Sequence, residues 1–454
     1  MRYFLAIDIG ASGGRHIVGW VEDGEIKLHE VYRFKNGMDE LSGHLVWDTE
    51  RLFSEVKAGI AKAFAEYSEI ESLSIDTWGV DYVLMRGDEE IKPTYAYRDT
   101  RTEEPIRLVH EIISQKDLFA LTGTQFQTFN TVYQLYADKL EGRLDGATDF
   151  LMIPEYLMYK LTGVKKKEFT NASSCALLNV KTLQLDEGLF DTLGFPRELI
   201  APICAPGEVV GKLTDEVAKE VGGNLDVVLC ATHDTASAVE AIEMENDAPY
   251  ISSGTWSLLG VKLNEALTDE KSRLSGYSNE GGVGCFTYLK NITGMWIVQC
   301  LRAELCPEMQ YGEIAEMAKR SGFDQLFDVN DQSFMAPKSM SEAIRNYLAA
   351  AGKPTPKCDA DYFSCAYHSL ASCYEDAIRD LEGNVGKEYS EIYIVGGGAK
   401  NGYLNDLTAR YTGRRVVAMP IEATAIGNLT VQMRRLGELV SDDEPEVSSN
   451  GWDS

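Results

Sequence analysis

The sequence predicts an α/β protein built from two similar halves that enclose a ligand cleft. In each half a buried strand passes through a turn of small residues into a second strand, over residues 3–21 and again over residues 249–261. In each half a helix later leads to a strand that ends in glycine, at Gly79 and at Gly396. Because the order matches, we interpret the halves as a duplicated unit. A turn that carries Asp234 stands between them.

Composition narrows the classes of function. A chain of 454 residues is long enough for two or three domains. The formal net charge of −28 repels nucleic acid and anionic membranes, so local donors and a metal have to hold any polyphosphate. The nine scattered cysteines predict neither a zinc site nor disulfides, but free thiols. Without a signal peptide or an apolar run of membrane-spanning length, we expect a cytoplasmic protein.

The first turn has the composition of a phosphate-binding loop. It follows a buried strand that ends in Asp8 and Gly10, and two further strands complete a β-meander. Small residues let backbone N–H groups approach a phosphate, a nearby hydroxyl and guanidinium can reach the same anion, and Asp8 can hold Mg²⁺. An ordinary glycine-rich hairpin explains this stretch equally well when it is taken alone. The turn consists of Ala11, Ser12, Gly13, Gly14 and Arg15.

A ligand-binding rim is predicted after the helix Glu50–Tyr67 and the strand Ile70–Ile75. The backbone of Gly79 can approach a sugar closely, Trp78 can pack on its apolar face, and the carboxylates that follow the strand can accept hydroxyl protons. The structural alternative is a turn capped by Asp76 with Trp78 in the core.

The segment Tyr97–Thr102 is a second polar and aromatic patch, for which a solvated loop with local ion pairs is the simpler explanation. Between it and the second half, the pattern predicts mainly helix over Glu103–Leu140, with breaks at residues 122–123 and 127–130. It also predicts a helix over Phe150–Leu161 and a polar loop over Thr170–Ser174. The polar segment Ile242–Pro249 is the best candidate for a domain boundary.

The stretch Asp226–Val239 predicts a strand, a tight turn and the start of a helix. The turn brings a carboxylate, Asp234, together with His233 and Thr235. A carboxylate at a helix N-terminus is expected to stay ionised and can act as a general base. The alternative is an N-cap, for which aspartate is favoured on structural grounds alone.

Taken together, these segments resemble the FGGY family of carbohydrate kinases, from Ala6–Ser12 to Glu422–Asn428. The resemblance implies two actin-like (ribonuclease H-like) ATPase domains with an inter-domain cleft. It implies a sugar-binding domain over residues 1–244, a nucleotide-binding domain over 245–440 and a polar tail over 441–454. The segments that carry it most specifically are Ile75–Asp81, Tyr97–Thr102, His233–Val239, Ser253–Ser257 and Asn291–Trp296.

The resemblance also implies roles for single residues. Asp234 corresponds to the proton acceptor and is also a sugar-site residue. The other sugar-contacting positions are Gly79, His233, Thr235 and Asn291. The positions that contact ATP are Ala11, Ser12, Gly13, Gly14 and Arg15 in the first half, and Thr255, Gln299 and Gly397 in the second. Relatives often carry serine where this chain has Gly13, which removes one hydroxyl and leaves the backbone donors.

Within the family, the motifs are most similar to those of members that phosphorylate the 1-hydroxyl of L-rhamnulose, a step of rhamnose catabolism. The expected cofactors are ATP and Mg²⁺, and the expected partners are small molecules, without nucleic acid or membrane. Two alternatives stay open: a kinase of the same family for another ketose or polyol (fuculose, xylulose or glycerol), and a non-catalytic actin-like sensor of sugar or nucleotide.

Overall fold

A computed structural model of the chain describes residues 1–242, 248–419 and 422–439. The domain boundary expected between residues 244 and 245 and the polar tail expected over 441–454 lie outside the described residues. We use "first lobe" for residues 1–242 and "second lobe" for residues 248–419. Within the described residues, no helix combines the length and the apolar character that a membrane crossing requires.

The first lobe contains a large sheet, several short sheets and helices on both sides. Its strands are β1 (Phe4–Gly10), β2 (Gly13–Glu22), β3 (Glu25–Lys35), β4 (Asp39–Leu41), β5 (His44–Trp47), β6 (Ser72–Thr77), β7 (Tyr82–Arg86), β8 (Glu89–Glu90), β9 (Thr94–Tyr95), β10 (Asp149–Met152), β11 (Lys167–Glu168), β12 (Leu178–Asn179), β13 (Gln184–Leu185), β14 (Ile203–Cys204), β15 (Val209–Lys212) and β16 (Asp226–Val228). Its helices are α1 (Thr49–Glu66), α2 (Glu103–Ile112), α3 (Gln115–Thr122), α4 (Thr131–Leu140), α5 (Ile153–Thr162), α6 (Phe169–Ala172), α7 (Glu187–Leu193), α8 (Asp215–Val221) and α9 (Asp234–Glu240).

The second lobe is simpler, and a last helix follows it. The strands are β17 (Tyr250–Ser253), β18 (Trp256–Leu263), β19 (Ser278–Gly281), β20 (Phe286–Thr293), β21 (Glu391–Val395) and β22 (Arg415–Met419). The helices are α10 (Glu270–Leu274), α11 (Trp296–Leu305), α12 (Tyr311–Ser321), α13 (Met340–Ala350), α14 (Asp359–Val385), α15 (Gly402–Thr412) and α16 (Ala423–Arg435). Short 3₁₀ turns span Thr100–Thr102, Ser173–Cys175, Arg197–Leu199, Gln332–Phe334 and Gly397–Lys400.

The two large sheets share one plan. In the first lobe five strands lie in the order β16-β6-β1-β2-β3, and in the second lobe five lie in the order β22-β21-β17-β18-β20. In each sheet the first three strands are parallel and the last two run antiparallel to their neighbours. The predicted duplicated α/β unit is therefore confirmed. One extra edge strand completes each sheet, β15 in the first lobe and β19 in the second.

Helix α1 shows how the sequence builds the first core. Its apolar side chains recur at helical spacing, so one face packs on the first sheet. Asp48 caps the helix by accepting a hydrogen bond from the backbone N–H of Arg51 at 2.9 Å. The helix begins one residue before the predicted start and ends one residue before the predicted end.

The last helix, α16, packs on the first lobe along most of its length, while Ala423 in its first turn joins a buried cluster with Tyr250 and Tyr393 of the second sheet. Its buried Ala425, Leu429 and Met433 cover a cluster on β1 and β2 that includes Phe4 and Ile17. It also crosses α9 so closely that a β-carbon at Gly427 would lie 1.7 Å from the backbone oxygen of Ser237. The two lobes therefore share a helical junction beside β1.

Three local predictions are wrong. Residues 150–152, predicted as helix, belong to strand β10, because they pair with β7 before α5 begins. The predicted polar loop Thr170–Ser174 is buried, in α6 and a 3₁₀ turn, because its side chains hydrogen-bond internally. The helical stretch 103–140 has an additional break at residues 113–114, where Ser114 caps α3.

Candidate active site

Asp8 and Asp76 lie opposite each other on the adjacent parallel strands β1 and β6. Asp76 is completely buried; its Oδ2 accepts a 2.6 Å hydrogen bond from Asn428 Nδ2, and its Oδ1 has no partner. Burial raises the pKa of Asp76 well above its ordinary value, and the charges of Asp8 and Asp234 raise it further. Three carboxyl groups thus converge where the two strands and the start of α9 meet.

Asp234 is the first residue of α9, and the N-cap position belongs to His233. The N-cap alternative for Asp234 is therefore wrong. Its carboxylate accepts hydrogen bonds from the backbone N–H and the hydroxyl of Thr235, at 2.6 and 3.3 Å, and 35% of the side chain is exposed. Burial raises the pKa of Asp234; His233 lowers it and Asp8 raises it. These influences, rather than the helix N-terminus alone, set its protonation.

His233 connects the two lobes electrostatically. Its Nε2 lies 3.6 Å from Asp234 Oδ1, and its Nδ1 lies 3.3 Å from Oε2 of Glu280 on β19. Nδ1 makes no aligned hydrogen bond at this separation. Burial lowers the pKa of His233, but Glu280 and Asp234 outweigh it and raise the pKa to about 9. The imidazole is therefore cationic at neutral pH.

A cleft of about 710 Å³ separates the lobes beside these groups. Side chains of both lobes line it, including aromatic rings and polar groups suited to a small polar ligand. The first lobe contributes Trp78, Gly79, Tyr97, Phe129, His233 and Thr235, and the second contributes Trp256, Glu280, Lys290 and Asn291.

The turn between β1 and β2 requires glycine because Phe34 packs directly against it. A β-carbon at Gly14 would lie 2.3 Å from the ring of Phe34, and one at Gly13 would lie 3.0 Å from the Phe34 backbone oxygen. Arg15 donates to Asp8 Oδ2 and to Glu422 Oε2, both at 2.6 Å. The guanidinium is therefore fixed beside the turn Ala11–Ser12 by two carboxylates.

A matching turn lies in the second lobe, between β17 and β18. Thr255 Oγ1 donates to Gln299 Oε1 at 3.3 Å, which places two predicted nucleotide contacts together. A β-carbon at Gly398 would lie 1.9 Å from Ser253 Oγ, whereas one at Gly397 would meet nothing within 4 Å. The glycine turn thus packs on the β17–β18 turn and leaves the backbone at Gly397 open to a ligand.

Glu168 is a buried residue that the sequence analysis did not single out. Its Oε2 accepts hydrogen bonds from the backbone N–H and hydroxyl of Thr232, at 3.2 and 2.6 Å. Its Oε1 accepts from the backbone N–H of Thr170, and the Thr170 hydroxyl in turn accepts from the backbone N–H of His233 at 3.1 Å. Glu168 therefore fixes the backbone that presents His233 and Asp234.

Comparison with known proteins identifies the family to which these features belong. The model of the FGGY family of carbohydrate kinases, N-terminal domain, matches residues 3–240, and the C-terminal domain model matches residues 249–436. The chain belongs to the FGGY family of carbohydrate kinases. It is an ATP-dependent sugar kinase with the two-domain α/β fold of that family.

Relatives support the assignment over nearly the full length. The kinase is 41% identical to a rhamnulokinase of Halalkalibacterium halodurans, with 97% of this chain and 95% of the relative covered. It is 40% identical to a rhamnulokinase of Oceanobacillus iheyensis, with 96% and 93% covered. Among solved structures, a xylulose kinase from Lactobacillus acidophilus shares the fold, with a TM-score of 0.81, 17% identity and coverage of 98% and 91%.

The fold of the kinase brings the predicted sugar positions Gly79, His233, Thr235 and Asn291 to one cleft, beside Asp234. Two expectations for this rim are wrong. Asp81 is buried and accepts hydrogen bonds from Trp47 and Trp78, so it is unavailable to a sugar hydroxyl. Asp76 is likewise completely buried and is not among the residues that line the cleft.

The segment Tyr97–Thr102 of the kinase is not a solvated loop. Arg101 is buried and pairs with Asp138 at 2.6 Å, and Asp99 accepts the backbone N–H of Arg101. Trp78 is mostly buried against Trp47 with ring centroids 4.2 Å apart, although it also lines the cleft. All nine cysteines are described and none is in a disulfide.

The residues of the kinase fit ATP and Mg²⁺. Mg²⁺ is commonly held in proteins by one or two carboxylates together with phosphate oxygens and water. Asp8, 13% exposed beside Arg15, is such a carboxylate. In the described part of the chain, no group of three or more acidic, histidine or cysteine side chains is arranged to hold a metal by itself. Phosphate oxygens and water would therefore have to complete the coordination of a Mg²⁺ ion held by Asp8.

Proposed function

We propose that this kinase transfers the γ-phosphoryl group of ATP to the 1-hydroxyl of L-rhamnulose and yields L-rhamnulose 1-phosphate. The observation that carries the proposal is the position of Asp234, which adjoins a cleft lined by Gly79, His233 and Asn291 from both lobes. Rhamnulokinases at about 40% identity over nearly the full chain support the choice of sugar.

In this proposal Asp234 orients the sugar hydroxyl and accepts its proton. The hydroxyl oxygen forms the new bond to the γ-phosphorus while the bond from that phosphorus to the β,γ-bridging oxygen breaks, and ADP leaves. Because phosphoryl transfer has a loose transition state, positioning and charge neutralisation contribute more than base strength. Closure of the lobes around the sugar excludes water, which limits wasteful hydrolysis of ATP.

The nucleotide would lie between the two glycine turns. The backbone of Ala11, Ser12, Gly13 and Gly14 with Arg15 would contact the phosphates, and Thr255, Gln299 and Gly397 would contact the nucleotide from the second lobe. When bound, Mg²⁺ supplies neutralisation of the β- and γ-phosphate charge, and Asp8 is the residue able to hold it. We place the enzyme in the cytoplasm, where ATP is available and cysteine thiols stay reduced.

A panel of sugars tests the proposal. Purified enzyme with ATP and Mg²⁺ should release ADP fastest with L-rhamnulose, and NMR of the product should locate the phosphate on C1. Faster turnover of fuculose, xylulose or glycerol would reassign the substrate within the family. Binding of sugar and ATP without any turnover would support the sensor alternative.

The variant Asp234→Asn tests the assigned base. Turnover should fall by roughly 10²–10⁴-fold, the usual contribution of a general base. ATP binding, measured by calorimetry, should remain. Asp226→Asn is the matched control, because Asp226 begins β16 on the same segment and pairs at the surface with Lys212. Near-normal turnover of Asp234→Asn would remove this residue from the role.

A further inference from the structure

The edge strand β19 of the second lobe contacts the first lobe along its whole length. Ser278 Oγ accepts from the backbone N–H of Gln125 at 3.1 Å. The backbone and side-chain N–H groups of Asn279 donate to the carbonyl oxygen of Gly123, at 2.8 and 3.1 Å. The backbone N–H of Gly281 donates to Ser173 Oγ at 2.7 Å. These bonds hold the backbone of the strand against the first lobe on both sides of Glu280.

Glu280 is the remaining residue of this strand, and its side chain lines the sugar cleft. It is 14% exposed, and its carboxylate lies 3.3 Å from His233 Nδ1. A buried carboxylate is costly unless it is paired and hydrogen-bonded, so a negative charge in this position calls for a reason. Attachment of the two lobes does not explain the carboxylate, because the hydrogen bonds of Ser278, Asn279 and Gly281 already attach them.

The pair of His233 and Glu280 has unused hydrogen-bonding capacity. The imidazole Nδ1 is buried and has no aligned acceptor, although Glu280 stands at ion-pair distance. The two atoms are too close for a hydroxyl to lie between them, but the remaining lone pairs of the Glu280 carboxylate and the second ring N–H of the cationic imidazole, at Nε2, can bond to hydroxyls beside the pair. Sugars present such hydroxyls, which both donate and accept.

We propose that Glu280 is a sugar-binding residue contributed by the second lobe, and that with His233 it forms an acceptor–donor pair for hydroxyl groups of the sugar remote from the one that is phosphorylated. This inference rests on the proposed function. Glu280 makes recognition of the sugar depend on both lobes, since the carboxylate comes from β19 and the imidazole from the start of α9. A sugar that lacks the matching hydroxyl leaves this carboxylate without the hydrogen bond that the hydroxyl would donate and is therefore disfavoured.

Steady-state kinetics of Glu280→Gln test the proposal. The KM for the ketose that wild-type enzyme turns over fastest should rise roughly 10- to 100-fold, as expected for loss of a hydrogen bond to a charged group. The KM for ATP should change by less than about twofold, because the hydrogen bonds of Ser278, Asn279 and Gly281 keep the lobes together. Glu265→Gln is the matched control, an exposed glutamate of the same lobe, and should leave both KM values unchanged.

Sugar analogues that each lack one hydroxyl complete the test. For one of them the KM of wild-type enzyme should approach that of Glu280→Gln, because the contact has been removed from the ligand side. Equal losses of Glu280→Gln on every analogue, or a parallel rise in the KM for ATP, would show that Glu280 only joins the lobes and would overturn the proposal. If Glu280→Gln does not fold, Glu280→Asp is measured with the same criteria.

Failure of the proposed function can be distinguished from failure of the proposed role of Glu280. It would appear as absence of sugar-dependent ADP release by wild-type enzyme, whereas the role of Glu280 is read from the ratio between variant and wild type. An unchanged KM for the sugar in a folded Glu280→Gln, with active wild-type enzyme, contradicts the role of Glu280 and leaves the kinase assignment standing.

Discussion

Asn428 donates a 2.6 Å hydrogen bond to the carboxylate of Asp76, which lies 352 residues earlier in the chain. Gln432, one turn further along α16, donates to Asn428 Oδ1 and to the backbone oxygen of Leu5. A row of buried amides on α16 thereby satisfies polar groups on β1 and β6 directly beneath the proposed active site. The carboxyl cluster is supported by a helix that follows the second lobe.

Asn428→Ala should therefore destabilise the kinase. The substitution leaves the buried Asp76 without its hydrogen-bond donor, which costs about 1–3 kcal/mol of unfolding free energy. Urea denaturation measures the change. Arg435→Ala, an exposed position on the same helix, is the control and should stay within about 0.5 kcal/mol. A cost for Asn428→Ala as small as that of the control would show that the bond contributes nothing.

The pH dependence of turnover should have an acidic limb set by Asp234. Its pKa lies above the ordinary aspartate value, and the base works only when ionised, so activity falls as pH drops through that raised pKa. The cationic His233 lowers the pKa of Asp234, so His233→Gln should move the limb to higher pH. Profiles of kcat against pH for wild-type enzyme and His233→Gln give the pH midpoint of the limb, which does not depend on how large the maximal kcat of each protein is. A limb that stays in place or moves to lower pH would contradict the electrostatic coupling.

Gly427→Ala should loosen the crossing of α9 and α16. The added β-carbon would overlap the backbone oxygen of Ser237, and backbone cannot move aside as a flexible side chain does. Overpacking of this kind costs about 1–3 kcal/mol. Gly402→Ala is the matched control, because Gly402 begins α15 and faces open space. Chemical denaturation should show a loss for Gly427→Ala alone, and equal stability of both variants would refute the steric argument.

Asp138→Asn should be among the more damaging substitutions outside the cleft. Asp138 accepts bonds from the buried Arg101 at 2.6 Å and from Arg143 at 2.8 Å. Removing its charge leaves the buried guanidinium of Arg101 with only the more distant and more exposed carboxylate of Glu141, at 3.9 Å, so the cost should be about 3–5 kcal/mol. The exposed pair of Arg107 and Glu111 provides the contrast: Glu111→Gln should cost at most about 1 kcal/mol. Thermal and urea unfolding compare the two, and similar losses would contradict the role of burial.

The two-lobe fold could be predicted because its signals are local. Strand, small turn and strand occur twice, and the helix before Gly79 and the helix before Gly396 are amphipathic over several turns. The conformation of residues 150–152 could not be predicted, because the same apolar run suits a helix or a strand, and only pairing with β7 decides between them.

The candidate site was predicted in part. Residues that follow a strand directly, such as Asp8, Gly79 and His233, carry a visible pattern. Glu168 carries none, since its importance comes from accepting the backbone N–H of Thr232, 64 residues away. Arg101 was expected in solvent because Asp138, which pairs with it and keeps it buried, is 37 residues further along. Long-range partners of this kind cannot be predicted from local spacing.

The seating of α16 on the first sheet has a consequence for biosynthesis. Gln432 bonds to a strand residue that leaves the ribosome 427 positions earlier, and Phe4 and Ala6 beside it are apolar. Until α16 has been translated, this face of the nascent first lobe lacks its natural cover. The growing chain therefore exposes an apolar surface that is prone to aggregation while the second lobe is synthesised. Assembly of the carboxyl cluster is then one of the last folding events of the chain.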